Sequence, residues 1–335
     1  MSVCEPETKL NHHGEMSATV SAGINIALIK YWGKRDATRN LPAVGSLSLT
    51  LAPWGSTTAL TWLKGAEHRF TLNGAPQDDK KVLKLLREVQ RYAGLEGYVA
   101  HIESRNSVPT AAGLASSASG MAALGLAAWR AAGLDYSEER PPPQLIELVR
   151  VGSGSAPRSL IGGLVRLERD GLTLRQLSPP EGWPLSLLVA VVSRGPKEVS
   201  SRDGMELTRR TSPYFQAWVE SHPADLDEAE RAIERRDLEA LGEVMEHSTA
   251  KMHACAWGAR PPLRYIQGVS LMVLDRVRSL RQEGVGAWAT MDAGPHVKVL
   301  CSPQDQAKIH ATLSALDGVL EVLTLTPGAG ARELR

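Results

Sequence analysis

Pro109-Thr110-Ala111-Ala112-Gly113-Leu114-Ala115-Ser116-Ser117-Ala118 places small residues, a glycine and a serine pair directly ahead of an apolar, alanine-rich run from Met121 to Leu134. Small side chains let a backbone approach a ligand closely. The first free N–H groups of a following helix point at negative charge, with the helix dipole behind them. The stretch therefore reads as a loop that wraps an anion and then opens a helix. A small-residue turn before a tightly packed helix accounts for the same letters. It is not a Walker loop, because no Gly-Lys-Ser/Thr follows at the required spacing.

Short β-like runs precede this loop: Val20 to Leu28, Ser46 to Leu51, Thr57 to Leu63 and Arg69 to Leu72. Turn signals at Pro53-Trp54-Gly55 and Asn73-Gly74 split them. Asp78 to Tyr92 reads as an amphipathic helix, with Val82, Leu85, Leu86 and Val89 on one stripe. Gly97 to Glu103 is a strand leading into the loop. Beyond the loop helix, Pro141-Pro142-Pro143 stops the chain before a short helix, Gln144 to Val151. Strands follow at Leu164 to Arg169, Leu174 to Leu177 and Leu185 to Val192.

The character changes around Ser193 to Lys197. Ser200 to Ala256 is helical and charged, and Leu263 to Glu283 reads as another helix. Ala287 to Asp292, Val297 to Cys301 and Val319 to Leu325 read as strands, with a helix between the last two. Strands, then helices, then strands and helix again is an α+β order rather than a regular βαβ series. The expected division is a flexible leader, 1–17, an N-terminal domain, 18–192, and a C-terminal domain, 193–330.

Composition narrows the function classes. A chain of 335 residues, 43% apolar and 22% charged, can bury a large core. Its formal net charge of +1 gives no global field for nucleic acid or an acidic membrane, so any positive charge that serves a phosphate must be local. Cys4, Cys255 and Cys301 are far apart, without zinc spacing, which fits a reduced, cytoplasmic setting. No run has the length of a membrane span, and the polar first 17 residues, with His12-His13, lack a signal-peptide core.

Local positive charge is found in four further segments. Asn25-Ile26-Ala27-Leu28-Ile29-Lys30-Tyr31-Trp32-Gly33-Lys34-Arg35-Asp36 sets Lys30 and Lys34 four apart around Tyr31. Lysines serve phosphate as mobile point charges and a Tyr hydroxyl adds a donor; a basic strand end reads equally well. Gly152-Ser153-Gly154-Ser155-Ala156-Pro157-Arg158-Ser159-Leu160 exposes N–H groups and hydroxyls beside an arginine able to fork onto a carboxylate, or is a flexible Gly/Ser loop. Ser201 and Arg202, in Val199-Ser200-Ser201-Arg202-Asp203-Gly204-Met205, stand where a serine is commonly an N-cap. Asp292, in Thr290-Met291-Asp292-Ala293-Gly294-Pro295-His296, ends a β-like run before a turn, as a turn former or as a carboxylate presented into a cleft.

In this order the five segments resemble the diphosphomevalonate decarboxylases of the GHMP small-molecule kinase superfamily, from about Val20 to Gly330. The Lys-Tyr-Trp-Gly-Lys-Arg and Asp-Ala-Gly-Pro strings are specific to that group, and the glycine loop is shared with the superfamily. The resemblance implies an N-terminal half like the second domain of ribosomal protein S5, a C-terminal α/β half, and an active site in the cleft between them. It implies ATP-dependent decarboxylation of mevalonate 5-diphosphate to isopentenyl diphosphate by way of C3 phosphorylation, with Mg2+ on the nucleotide. Phosphomevalonate decarboxylases and 3-kinases of the same family are alternatives, as is a non-catalytic binding homologue. The resemblance also implies a homodimer, the family habit.

Residue by residue, the resemblance makes Asp292, Arg158 and Lys30 the catalytic set. Asp292 accepts or orients the C3 hydroxyl proton, and Arg158 holds the C1 carboxylate. Tyr31, Lys34, Ser201 and Arg202 take the substrate diphosphate. Ser153, Gly154 and Ser155 line the substrate pocket, and Met205 makes an apolar contact. Pro109, Ala112, Gly113, Leu114, Ala115, Ser116 and Ser117 hold the nucleotide, and no protein metal ligand is assigned. The family usually carries Asn and Ser at Val44 and Gly45, Cys at Pro157, and Asn at His296, where packing or a supporting hydrogen bond is expected.

Overall fold

The structure, a computed structural model, describes residues 16–108, 116–195 and 199–334. His12-His13 and Pro109 to Ala115 of the glycine loop lie outside the described residues. The first half is built from strands β1 (Ser17–Ile29), β2 (Lys34–Asp36), β3 (Leu41–Pro42), β4 (Ser46–Lys64), β5 (Arg69–Leu72) and β6 (Ala75–Pro76), then helix α1 (Lys80–Ala93) and strand β7 (Tyr98–Asn106). Helices α2 (Ser116–Ala131) and α3 (Pro143–Gly152), a 3₁₀ helix (Ala156–Leu160), and strands β8 (Leu164–Leu167), β9 (Leu174–Ser178) and β10 (Ser186–Val191) follow. The second half holds α4 (Ser201–Thr211), α5 (Phe215–Arg235), α6 (Leu238–Trp257), α7 (Gly268–Gln282), β11 (Ala287–Met291), β12 (Val297–Cys301), α8 (Gln306–Ser314), β13 (Glu321–Pro327) and β14 (Arg332–Glu333).

One mixed sheet runs through both halves in the order β11-β12-β10-β13-β4-β7-β5-β6, with β1 and β8 also on β4. The class is α+β, as the order of elements predicts. β10 pairs with β12 and β13 of the second half, and β13 reaches β4 through Thr326 opposite Ala52.

Pro53-Trp54-Gly55 does not separate two strands: Ser46–Lys64 is one long strand. The three residues Ala52, Pro53 and Trp54 form a bulge, since Gly23 faces Gly55 while the next residue, Ile24, faces Leu51. A proline lacks the N–H for a ladder bond and is tolerated at a bulge. Beyond it β4 changes partners, pairing through Ser46–Leu49 with β8 and through Ser56–Lys64 with β7. The predicted helix Leu263 to Glu283 begins later, at Gly268, where the Gln267 and Ser270 side chains form a reciprocal cap. Leu263 and Tyr265 instead lie in irregular chain, buried in one cluster with Trp32, Met205 and Met252. The last long strand is displaced by two residues, to Glu321–Pro327.

α1 forms for the reasons its letters give. Asp79 caps it through the Lys81 N–H, Val82, Leu85, Leu86 and Val89 are buried on one stripe, and Gly94 ends it at φ 64°. α2 is buried on nearly every side, as an alanine-rich run allows, and it packs on β1 and β4. Gly125 lets it approach α3, because a Cβ there would sit 2.4 Å from Val149 Cγ1. That packing aims the first turn of α2 at the cleft. Gly125→Leu should therefore lower unfolding stability by about 1–3 kcal/mol through overpacking, more than the helix-propensity gain of about 1 kcal/mol. Urea unfolding checks this, and unchanged stability would show that the α2–α3 contact is slack.

Candidate active site

A cleft of about 220 Å³ lies where the two halves meet. It is lined from β1 and the segment after it by Asn25, Ala27, Lys30, Tyr31, Trp32 and Lys34, and from the 152–158 loop by Gly152, Ser153, Gly154, Ser155 and Arg158. α4 contributes Ser201, Arg202 and Met205, the end of β11 contributes Asp292 with Ala293, and α2 contributes Ser117. Residues from five separated segments thus share one cavity. Ser116 opens α2 but is not on the wall.

The segment 30–34 is held from behind. The Lys30 amide donates to Ser248 Oγ at 3.1 Å. His222 Nε2–H donates to the Lys30 carbonyl at 2.8 Å, and Trp218 Nε1–H to the Trp32 carbonyl at 3.0 Å. Gly33 is at φ 91°, and a Cβ there would lie 2.5 Å from the Phe215 ring. This backbone anchoring turns Lys30, Tyr31 and Lys34 into the cleft.

At the cleft floor the Lys30 ammonium donates to Asp292 Oδ1 at 2.8 Å and to the Ala27 carbonyl at 2.8 Å, leaving one of its three donors for a ligand. Lys298, on β12, takes the other oxygen, Oδ2, at 3.0 Å. Burial alone would raise the proton affinity of Asp292; Lys298 and Lys30 overcome it and hold the carboxyl well below the usual carboxylate range. The same burial brings Lys30 down to about 8, against the opposing pull of Asp292. Asp292 is a carboxylate held ionised between two cations, with 35% of its side chain exposed to the cleft.

Arg158 is 2% exposed. It donates to Ser46 Oγ and, at 3.2 Å, to Asn25 Oδ1. Its Nε is buried without a partner, and among the described residues no carboxylate pairs with it. Burial lowers it only to about 10, so it stays charged. A buried, partly unsatisfied guanidinium facing a cavity is a built receptor for a carboxylate. Tyr31 lies beneath Arg158, its ring centre 5.9 Å from the guanidinium carbon, and its hydroxyl is buried without a partner. Gly154 is required beside it, since a Cβ would lie 2.3 Å from the Tyr31 oxygen.

At the other end Lys34 is brought to about 8, first by burial and then by Arg202. No acidic side chain among the described residues forms an ion pair with Lys34 or Arg202. Ser200, not Ser201, is the α4 N-cap, accepting from the Asp203 N–H at 3.1 Å. Ser201 is thereby free to face the cleft.

Residue types and spacing alone did not single out Lys298, Asn25, Asn40, Lys81 and Met252, of which all but Lys298 line the cleft. The five are scattered over β1, the 38–40 turn, α1, α6 and β12. Only Asn25, which stands inside a quoted motif, carried a signal. Val44 and Gly45 do not line the cleft. Val44 packs among Trp32, Met205 and Trp218, and a Cβ at Gly45 would lie 2.8 Å from Leu226 Cδ1. Pro157 sits in the first turn of the 3₁₀ helix. His296 is buried, its Nδ1 accepting from the Val192 N–H at 3.2 Å.

Residues 22–175 match the diphosphomevalonate decarboxylase-like N-terminal domain, and residues 187–322 the mevalonate 5-diphosphate decarboxylase C-terminal domain. The chain belongs to the diphosphomevalonate decarboxylase family. Diphosphomevalonate decarboxylase mvd1 of Aspergillus fumigatus is 34% identical over 330 residues, spanning 90% of this chain and 80% of that protein. The rat diphosphomevalonate decarboxylase is 34% identical over 85% of this chain and 76% of its own length. Mevalonate diphosphate decarboxylase from Staphylococcus aureus superposes with a TM-score of 0.88 at 36% identity, covering 95% of this chain and 98% of that one. A structure of MDDEF in complex with MVAPP, AMPPCP and magnesium superposes at 0.86 with 38% identity, covering 95% and 99%. These decarboxylases share the two-domain α+β fold described above.

Two lysines near 8 in one cleft have a measurable consequence for this family member. At pH 8.5 both are partly neutral, and a bound anion raises their pKa. Binding of sulfate, which does not itself titrate in this range, should take up protons at that pH, and its affinity should fall as pH rises above about 8. Calorimetry in two buffers of different ionisation enthalpy measures the uptake. Identical heats would place Lys30 and Lys34 outside the anion's field.

Proposed function

We propose that this protein catalyses the ATP-dependent decarboxylation of mevalonate 5-diphosphate to isopentenyl diphosphate, ADP, phosphate and CO2. The observation that carries the reading is the presence, in one cleft, of the ionised Asp292 and the partly unsatisfied Arg158, beside Lys34 and Arg202, which form no ion pair among the described residues. A substrate with a carboxylate at one end, a hydroxyl in the middle and a diphosphate at the other matches that sequence of charges.

In this reading Arg158 holds the C1 carboxylate and Asp292 accepts the hydrogen bond of the C3 hydroxyl. That oxygen attacks the γ-phosphoryl group of ATP, and Asp292 takes its proton as the new P–O bond forms. The C3–O bond then breaks with departure of phosphate. The C1–C2 bond breaks with release of CO2, and its electron pair becomes the C2–C3 double bond. A carboxylate of low proton affinity suits a loose phosphoryl transfer, in which the hydroxyl gives up its proton late. Lys30 has one donor left for the developing charge, and Tyr31, Lys34, Ser201 and Arg202 take the diphosphate. Ser153, Gly154 and Ser155 shape the wall between the two ends.

The nucleotide is assigned to the glycine loop and to the first turn of α2 with Ser116 and Ser117, since the N–H groups that open a helix receive phosphate. Mg2+ would be held chiefly by the nucleotide's own phosphates, a habit of that ion, and would neutralise charge in transfer. Among the described residues no group of three metal-ligating side chains converges. We further propose two units, 18–192 and 193–330, with β10 completing the sheet of the second. A homodimer in a reducing, cytoplasmic setting is in keeping with the family and with the unpaired thiols of Cys255 and Cys301. Among the described residues no helix is long and apolar enough to cross a membrane.

Asp292→Asn preserves shape and removes the acceptor, so kcat should fall by roughly 10²–10⁴-fold with much less change in substrate affinity. Near-full turnover would remove Asp292 from this role. Substrate choice is tested by comparing the 5-diphosphate with the 5-monophosphate. A charge-assisted hydrogen bond is worth roughly 1.5–3 kcal/mol, and the smaller ester forgoes at least one. Its kcat/KM should be lower by at least about tenfold, and Arg202→Ala should narrow that ratio. A preference for the monophosphate would move the chain to the sister activity.

A further inference from the structure

Asp292 has two lysine partners, and only Lys30 reaches the cleft. Lys298 lies behind the carboxylate in the middle of β12, opposite Thr290 of β11 and Val189 of β10, with 3% of its side chain exposed. An ammonium buried on a central strand is costly, and an apolar side chain in its place would avoid the desolvation. Its ammonium partners among the described residues are both in the site: Asp292 Oδ2 at 3.0 Å and the His296 carbonyl at 3.4 Å, in the turn that carries Asp292. With Lys30 on Oδ1 and Lys298 on Oδ2, the carboxylate is fixed against rotation, and its remaining lone pairs are left for a ligand. Lys298 cannot meet the substrate itself.

We propose that Lys298 is a positioning residue of the reaction, setting the orientation of the Asp292 carboxylate from the protein side of the cleft. The inference rests on the reading of Asp292 as the proton-handling group. The charged and titratable groups that face Asp292 are Lys30 from the end of β1, Lys298 from β12, Arg158 from the 3₁₀ helix and His253 from α6. His253 is brought to about 4 by burial and is neutral at working pH. Taking Lys298 away therefore frees Oδ2 and removes one of the two cations in direct contact. Asp292 then binds a proton more readily, and the acid limb of the rate profile moves to higher pH.

The experiment is a double-mutant cycle between Lys298→Met and Asp292→Asn, with kcat and KM followed from pH 5 to 9 and thermal unfolding recorded for each protein. In the wild-type background Lys298→Met should lower kcat by about tenfold with KM for the mevalonate ester changed by less than about threefold, and the acid limb should stand at higher pH than in the wild-type protein. In the Asp292→Asn background the same change should cost less than about twofold, because its effect passes through the carboxylate. Lys298→Arg, which keeps the charge, should return the acid limb toward its original position. Should Lys298→Met fail to fold, Lys298→Gln carries the same cycle. Equal losses in both backgrounds, or an unmoved acid limb, would overturn the proposal while leaving Asp292 in its role. Full activity of Asp292→Asn would overturn both.

Discussion

A single carboxylate held between two buried ammonium groups ties the two halves of this molecule together. Lys30 comes from the end of β1, whereas Asp292 and Lys298 come from β11, β12 and the turn between them. Each ion would be expensive to bury alone, and the three are affordable only as a set. The set is not neutral: one carboxylate against two lysines, with Arg158 close by, leaves an excess of positive charge in a chain whose formal net charge is +1. An anionic ligand completes it, which is why the local field rather than the overall charge points to phosphate and carboxylate chemistry.

The constraint spreads outward through backbone hydrogen bonds. His222 and Trp218 are four residues apart and so lie on one face of α5. They donate to the carbonyls of Lys30 and Trp32, while Ser248 of α6 accepts from the Lys30 amide. Both helices also pack against the sheet of the second half, in the cluster that includes Leu226, Leu241 and Val189. The segment that aims the cations therefore moves only if the second half moves with it. Beneath it, Trp32, Val44, Met205, Trp218, Met252 and Tyr265 form a separate apolar cluster that supports the cleft. In that setting Val44 is a packing residue.

Burial also tunes the site without any catalytic contact. It lowers Lys30 and Lys34 to about 8, raises Tyr31 to about 12, and leaves Arg158 charged at about 10. The two lysines respond to an incoming anion, whereas the arginine stays a fixed cation. Placing the fixed charge at the buried end and Lys34 with Arg202 at the other gives the cleft a polarity along its length.

The sequence by itself determined the periodic elements and the five motif segments. α1 was legible because its apolar stripe, Val82, Leu85, Leu86 and Val89, repeats within eight residues of chain. Asp292, Arg158, Lys34 and Ser201 were legible because each stands in a short string that resembles a motif of the family, whereas the residue types alone left each a structural alternative. Tertiary structure decided the rest, for a common physical reason: the information is distributed over residues that meet only after folding. The bulge at Ala52 to Trp54 is set by what β1 and β13 offer opposite, so Pro53 marks a change of partner rather than a strand end. Lys298 is the one polar residue of the strand Val297 to Cys301, where a lysine by itself reads as solvent-facing. Only the covering of both faces of β12 turns it inward, onto a carboxylate six residues away along the chain.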